Sequence, residues 1–165
     1  DLDTRSKGDY IESRNGLWLD AIKVKHAIQI MSIVKPEDEV IAIDELQFFD
    51  SNIVKVISKL MDEGKKVIGT GLELDFKAEP FGSMPELMCI ATKVDKLHAV
   101  CMKCGCEHAT RTQRLIDGKP ADKHSPLIMI GGDETYEARC IKCYELPDIE
   151  LEKKKRGFKV LNFVK

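Results

Sequence analysis

Two kinds of side chain in this sequence are spaced for chemistry: four cysteines in two Cys-x-x-Cys pairs, and two adjacent acids. The pairs are Cys101 with Cys104 and Cys140 with Cys143; the acids, Asp44 and Glu45, close the apolar run Val40-Ile41-Ala42-Ile43. Four thiolates supply the soft tetrahedral donor set that zinc prefers, and a two-residue gap lets one tight turn present both sulfurs to the same ion. Such a closed set leaves no open coordination position, so the expected zinc is structural. A more compact set, Cys101, Cys104, Cys106 and His108, competes on spacing but leaves the second pair unexplained. The acids imply other work. A continuous apolar run reads as a strand buried on both faces, and in open α/β sheets ligands bind at the carboxyl ends of such strands. There, one carboxylate can serve Mg2+ while its neighbour orients or deprotonates a nucleophile, as phosphoryl transfer requires.

The elements that must hold these groups follow from periodicity. Residues 40–72 read as strand, helix, strand, with parallel strands and a right-handed crossover. Asp50 or Ser51 caps the helix, Ile53, Ile57, Leu60 and Met61 form its apolar face, and Gly64 ends it. A second helix is predicted from Ser83 to about Thr92, with Pro85 in its first turn and Glu86 as capping-box partner. From residue 97 the texture changes to short strands at 97–100, 109–115, 127–130 and 136–139. The expected division is an α/β nucleotide-binding domain over 1–96, a zinc-binding domain over 97–147 and a charged tail over 148–165. More than the ~15–20 residues of a plain ribbon separate the cysteine pairs. A loop clamped at both ends by one metal is suited to fold over a ligand.

Composition narrows the class. With 43% hydrophobic and 33% charged residues, the chain falls among soluble globular proteins rather than disordered ones. No apolar run approaches the ~18 residues of a membrane span and no signal-peptide pattern opens the chain, so a cytoplasmic location and no membrane partner are expected. A net charge of -2 provides no global field for nucleic acid. Lys153-Lys154-Lys155-Arg156 reads as a solvated run.

No Gly-x-x-x-x-Gly-Lys-Ser/Thr occurs in the 165 residues, so a phosphate cradle is expected on a segment preceding Asp1. Asp3-Thr4-Arg5-Ser6, Ile43-Asp44-Glu45-Leu46-Gln47-Phe48-Phe49, Gly71-Leu72-Glu73-Leu74-Asp75-Phe76 with Pro80-Phe81-Gly82, Arg111-Thr112-Gln113-Arg114-Leu115, Gly131-Gly132, Tyr136 and both cysteine pairs stand in a telling order. In that order and spacing, residues 1 to about 147 resemble the zinc-containing cytosolic thymidine kinase family. The resemblance implies a RecA-like P-loop NTPase parallel sheet, N-terminally incomplete in this chain, plus a small zinc-ribbon-like domain carrying a lasso loop. It implies transfer of the γ-phosphoryl group of ATP, with Mg2+, to the 5'-hydroxyl of thymidine or deoxyuridine, a salvage step for DNA synthesis. Glu45 would be the general base and Asp44 would assist Mg2+. Asp3, Thr4 and Arg5 would face the phosphates, with Leu46 and Gln47 beside the acids near the nucleotide. Phe76 and Tyr136 would wall the nucleoside pocket, and the backbone of Leu127, Ile128, Met129, Ile130 and Gly131 would read the base. Cys101, Cys104, Cys140 and Cys143 would hold the zinc. A homotetramer and feedback binding of dTTP are further implications.

Phe48, Phe49 and Phe81 read as core, and Arg114 as a further phosphate contact. The rival reading is a zinc-ribbon nucleic-acid-binding module on an inactive ATPase-like remnant, suggested by Arg111, Arg114 and the basic tail. Base stacking by such a module needs aromatics interleaved with cations, and this stretch offers Tyr136 alone.

Overall fold

The computed structural model describes residues 10–12, 16–128 and 134–146. Asp3, Thr4, Arg5, Met129, Ile130, Gly131 and the charged tail lie outside the described residues.

The unit that carries the acids is strand, helix, strand. Strand β3 (Val40–Ile43) pairs in parallel with β4 (Lys66–Gly69), Val40 opposite Lys66 and Ile43 opposite Gly69. Helix α2 (Asn52–Asp62) makes the crossover. Its buried residues Ile53, Val56, Ile57 and Leu60 recur at helical spacing and pack with Ile43, Leu46, Met84 and Leu87 in the main core. Val56 takes the place predicted for Met61, which lies at the rim of the face and stays partly exposed.

Two expectations for these elements are corrected. The β3 strand is not buried on both faces: Val40 and Ala42 are exposed while Ile43 is buried, because among the described residues α2 covers one side. The cap of α2 is also shared differently. Ser51 occupies the cap position without a side-chain bond, and Asp50 instead accepts the Asn52 N–H at 3.0 Å and the Ala27 N–H at 3.1 Å. That carboxylate therefore ties α2 to the 3-10 turn at Ala27–Gln29 and the short helix α1 (Ile30–Ile33) that follows it.

Ahead of these elements, β1 (Tyr10–Glu12) and β2 (Trp18–Asp20) form an antiparallel pair that no expectation covered. Helix α3 (Met84–Ile90) stops short of Thr92 because Ala91 turns extended. Ser83 makes no side-chain cap bond, its φ of -87° and ψ of 9° lying outside the extended region from which a hydroxyl reaches the third amide.

Beyond residue 96 the backbone forms a small antiparallel sheet. Strand β5 (Arg111–Ile116) lies between β6 (Lys119–Pro120) and β7 (Glu134–Arg139). Asp117 and Gly118, both at positive φ (49° and 72°), make the tight turn between β5 and β6. Residues 97–100 contribute a single bridge, Ala99 with Ala109. Leu127 and Ile128 form an exposed bend rather than a strand. A second buried cluster centres on Cys101, Ala109 and Cys140.

Candidate active site

At the carboxyl end of β3 the chain is pinned to the end of β4 from both sides. The Thr70 N–H donates to Ile43 O at 3.0 Å, and the Leu46 N–H donates to Thr70 O at 3.0 Å. Between these bonds lie the two exposed acids. Asp44 Oδ1 accepts from the Thr70 hydroxyl and from the Glu45 N–H. Glu45 is held at φ 54° and ψ 42°, a left-handed conformation that costs a non-glycine residue on the order of 1–3 kcal/mol and clusters at functional sites.

Gln47 explains how Glu45 is oriented. Its side chain is buried, and its Oε1 accepts the Leu72 N–H at 3.0 Å. A backbone N–H can only donate, so the amide must point its Nε2 the other way, where it donates to Glu45 Oε2. The fit is tight. A Cβ at Gly71 would stand 2.6 Å from Gln47 Oε1, and one at Gly82 would stand 2.4 Å from the Gln47 carbonyl oxygen. Gln47, expected near the nucleotide, thus spends its amide on Glu45 and on the loop that starts at Leu72.

That loop carries Phe76. Leu74 bridges Pro80 across it, and the buried Asp75 accepts the Lys77 and Glu79 N–H groups at 2.8 and 3.0 Å. Phe76 is only 4% exposed, so its ring is packed rather than open. The Arg114 guanidinium carbon lies 5.0 Å from its centroid and the Lys77 ammonium 5.5 Å. Tyr144 donates its hydroxyl proton to Phe76 O at 2.5 Å, and burial pushes that phenol up, with Asp75 adding to the effect. Tyr136, half exposed, stands with its centroid 6.0 Å from Arg114. Of the core expectations, Phe81 is buried and packs edge-on at 5.5 Å against Phe48, which is itself partly exposed; Phe49 packs on the main core. Arg114 is fully buried and donates to Pro126 O at 2.7 Å, which removes it as a phosphate contact.

The thiols gather as a cluster. Sulfurs of Cys101, Cys104, Cys106 and Cys140 all lie within 4.8 Å of one another. A tetrahedral ion with bonds of ~2.3 Å to sulfur has edges of ~3.8 Å, and the Cys104–Cys140 separation is 3.8 Å. These residues fit a metal. Both knuckle turns are closed by backbone bonds, Gly105 N–H to Cys101 O at 2.8 Å and Cys143 N–H to Cys140 O at 3.0 Å. The Cys140 backbone N–H holds the Cys101 thiol down to about 6, toward the thiolate that binds metal. Hydrogen bonding to Cys104, with burial behind it, pushes Cys143 up to about 12. Five thiols therefore share one site, and Cys106, left over by the pairing rule, belongs to the tightest four. His108 instead stacks edge-on with His98 at 6.1 Å.

A family model described as thymidine kinase matches residues 1–144. The chain belongs to the thymidine kinase family. Membership makes it a nucleoside kinase by class, with the P-loop-like α/β fold of that family. The match spans the strand-end acids, the Phe76 loop and both cysteine pairs. Among the described residues no helix is long and apolar enough to cross a membrane.

What sequence reasoning missed are the partners supplied by distant residues. Leu72 for Gln47, Phe76 for Tyr144 and Pro126 for Arg114 have no local signature. Cys106 was not missed but set aside with the compact rival set, although it stands two residues beyond Cys104 across a glycine turn.

Proposed function

We propose that this protein transfers the γ-phosphoryl group of ATP to the 5'-hydroxyl of thymidine or deoxyuridine, with Glu45 as general base. The observation that carries the reading is Glu45 itself: a strand-end carboxylate kept in a left-handed backbone conformation and oriented by a buried amide. Because Oε2 already accepts from Gln47, Oε1 is the oxygen assigned to receive the hydroxyl proton. Asp44, steadied by the Thr70 hydroxyl, is assigned to Mg2+, which when bound would offset charge on the phosphates. Asp3, Thr4 and Arg5 are assigned to the phosphates, and Leu46, through its backbone, to the floor beneath them. Phe76 and Tyr136, with residues 127–131, form the nucleoside pocket in this reading. The fold is assigned as RecA-like, divided near residue 96, with structural zinc in the thiol cluster. A cytoplasmic homotetramer inhibited by dTTP completes the proposal. The nucleic-acid reading is disfavoured by the burial of Arg114, which takes one of its two central cations away from any phosphate backbone.

Steady-state kinetics of Glu45→Gln in the full-length protein test the assignment. A general base contributes typically ~10²–10⁴ in rate, so kcat should fall by that factor while KM for thymidine changes little. An unimpaired kcat would mean that another group takes the proton.

A further inference from the structure

We propose that Arg114 is the positioning residue of the nucleoside pocket, its flat guanidinium setting the relative placement of the Phe76 and Tyr136 rings and pinning the carbonyl of Pro126. This rests on the nucleoside reading above and deepens it: neither aromatic wall is held by apolar packing alone.

The placement starts from strand register. Arg114 on β5 stands directly opposite Tyr136 on β7, so its side chain leaves the sheet on the same face as that ring. It then reaches Phe76, in the loop between β4 and α3, at 5.0 Å from the centroid. No solvent reaches the side chain, and Pro126 O takes a proton from Nη1 at 2.7 Å. A buried cation with no water must satisfy its charge through fixed partners, and here these include two π faces and a carbonyl. Arginine is the cation suited to this. Its charge is spread over a plane that can lie along aromatic faces while the edge donates in a fixed fork, whereas a lysine ammonium is a point charge on a flexible stem.

The neighbouring residue on β5 serves the same end from the opposite face. Gln113, also buried, accepts the Glu145 N–H at 2.8 Å and donates to Glu145 O at 2.9 Å. That clamp fixes the residue after Tyr144, whose hydroxyl holds Phe76 O. Successive residues of one strand thus control Phe76 twice, Arg114 through its ring and Gln113 through its backbone. Tyr136 keeps half of its surface exposed, which leaves a flat face for a pyrimidine.

Thymidine binding by calorimetry, on wild type and Arg114→Lys, tests the idea. Lysine keeps the charge and loses the plane, so affinity for thymidine should weaken about tenfold, part of the roughly thirtyfold that a whole desolvated cation–π contact represents, while affinity for ATP stays unchanged. A loss confined to ATP would restore the phosphate role and overturn the proposal. Tyr136→Leu combined with Arg114→Lys should cost less than the two effects multiplied, since both act on one ring. Multiplicative losses, or unchanged thymidine affinity in Arg114→Lys, overturn the proposal while leaving the nucleoside reading intact. Wild type that binds no thymidine overturns that reading and this one with it. Should the lysine variant not fold, the wild-type Arg114 Nε–H resonance decides: it should be ring-shifted, slow to exchange and moved by thymidine. A resonance like that of an exposed arginine, indifferent to thymidine, overturns the proposal.

Discussion

Gln47 shows how much of this site is set by residues that need not touch a substrate. Its amide accepts from Leu72 and donates to Glu45, while Gly71 and Gly82 approach it too closely for any side chain. Replacing it with methionine keeps the bulk but takes the acceptor from the Leu72 N–H and the donor from Glu45. We expect Gln47→Met to lose about 0.5–3 kcal/mol in urea unfolding, the net worth of one hydrogen bond to a neutral partner and one to a charged partner. Its kcat should fall further than its affinity for thymidine. A variant of wild-type stability and kcat would sink the positioning role. The acids and Gln47 could be found from the sequence because they are near neighbours behind an apolar run. The bond from Leu72 could not, since nothing local signals a donor 25 positions away. Arg114 was misplaced for a related reason: a charged residue in a polar stretch reads as surface until its register partner is known.

At the scale of elements, Asp50 is the joint between α2 and the turn at Ala27–Gln29. The Ala27 N–H, followed by that of Asn52, holds its carboxyl below the ordinary value of 3.8. A carboxylate whose native pKa is depressed stabilises the fold fully above the unfolded value, and that contribution is lost as pH falls through the native one. Asp50→Asn should therefore melt below wild type at pH 7, with the gap closing under pH 3.8. A gap that is the same at both pH values would show that charge plays no part. The β3–α2–β4 unit was legible because apolar residues recur at the helical period between two apolar runs. The extent of strand burial was not, because periodicity says which residues are apolar and not which layers cover them. The β1–β2 pair went unrecognised although Asn15-Gly16 is a turn signal between the apolar residues 10–11 and 17–19.

Across the whole molecule, the thiol cluster and the Phe76 loop are joined through β5, Tyr144 and Glu145. Stripping metal should therefore disorder the β5–β7 sheet and weaken thymidine binding together, as chelation with circular dichroism and calorimetry would show. One zinc per chain is expected. Cys140→Ser should release it, and the pair Cys106→Ser and Cys143→Ser identifies the fourth ligand: the variant that loses metal names it. Retention of full metal content in Cys140→Ser would refute the site. Metal affinity should also fall as pH drops, because each thiol must give up its proton to bind. The two cysteine pairs were readable from spacing alone, but the inclusion of Cys106 depends on a turn that brings a fifth sulfur inward. There is a consequence for supply. Cys104 and Cys140 are 36 positions apart, so the metal closes the segment that buries Arg114 and presents Tyr136. The α2 half has its own apolar core, and among the described residues it carries no cluster of metal ligands. Protein made by a zinc-starved cell would then keep its acids in place yet be blind to nucleoside, and restoring zinc would switch on activity without new synthesis.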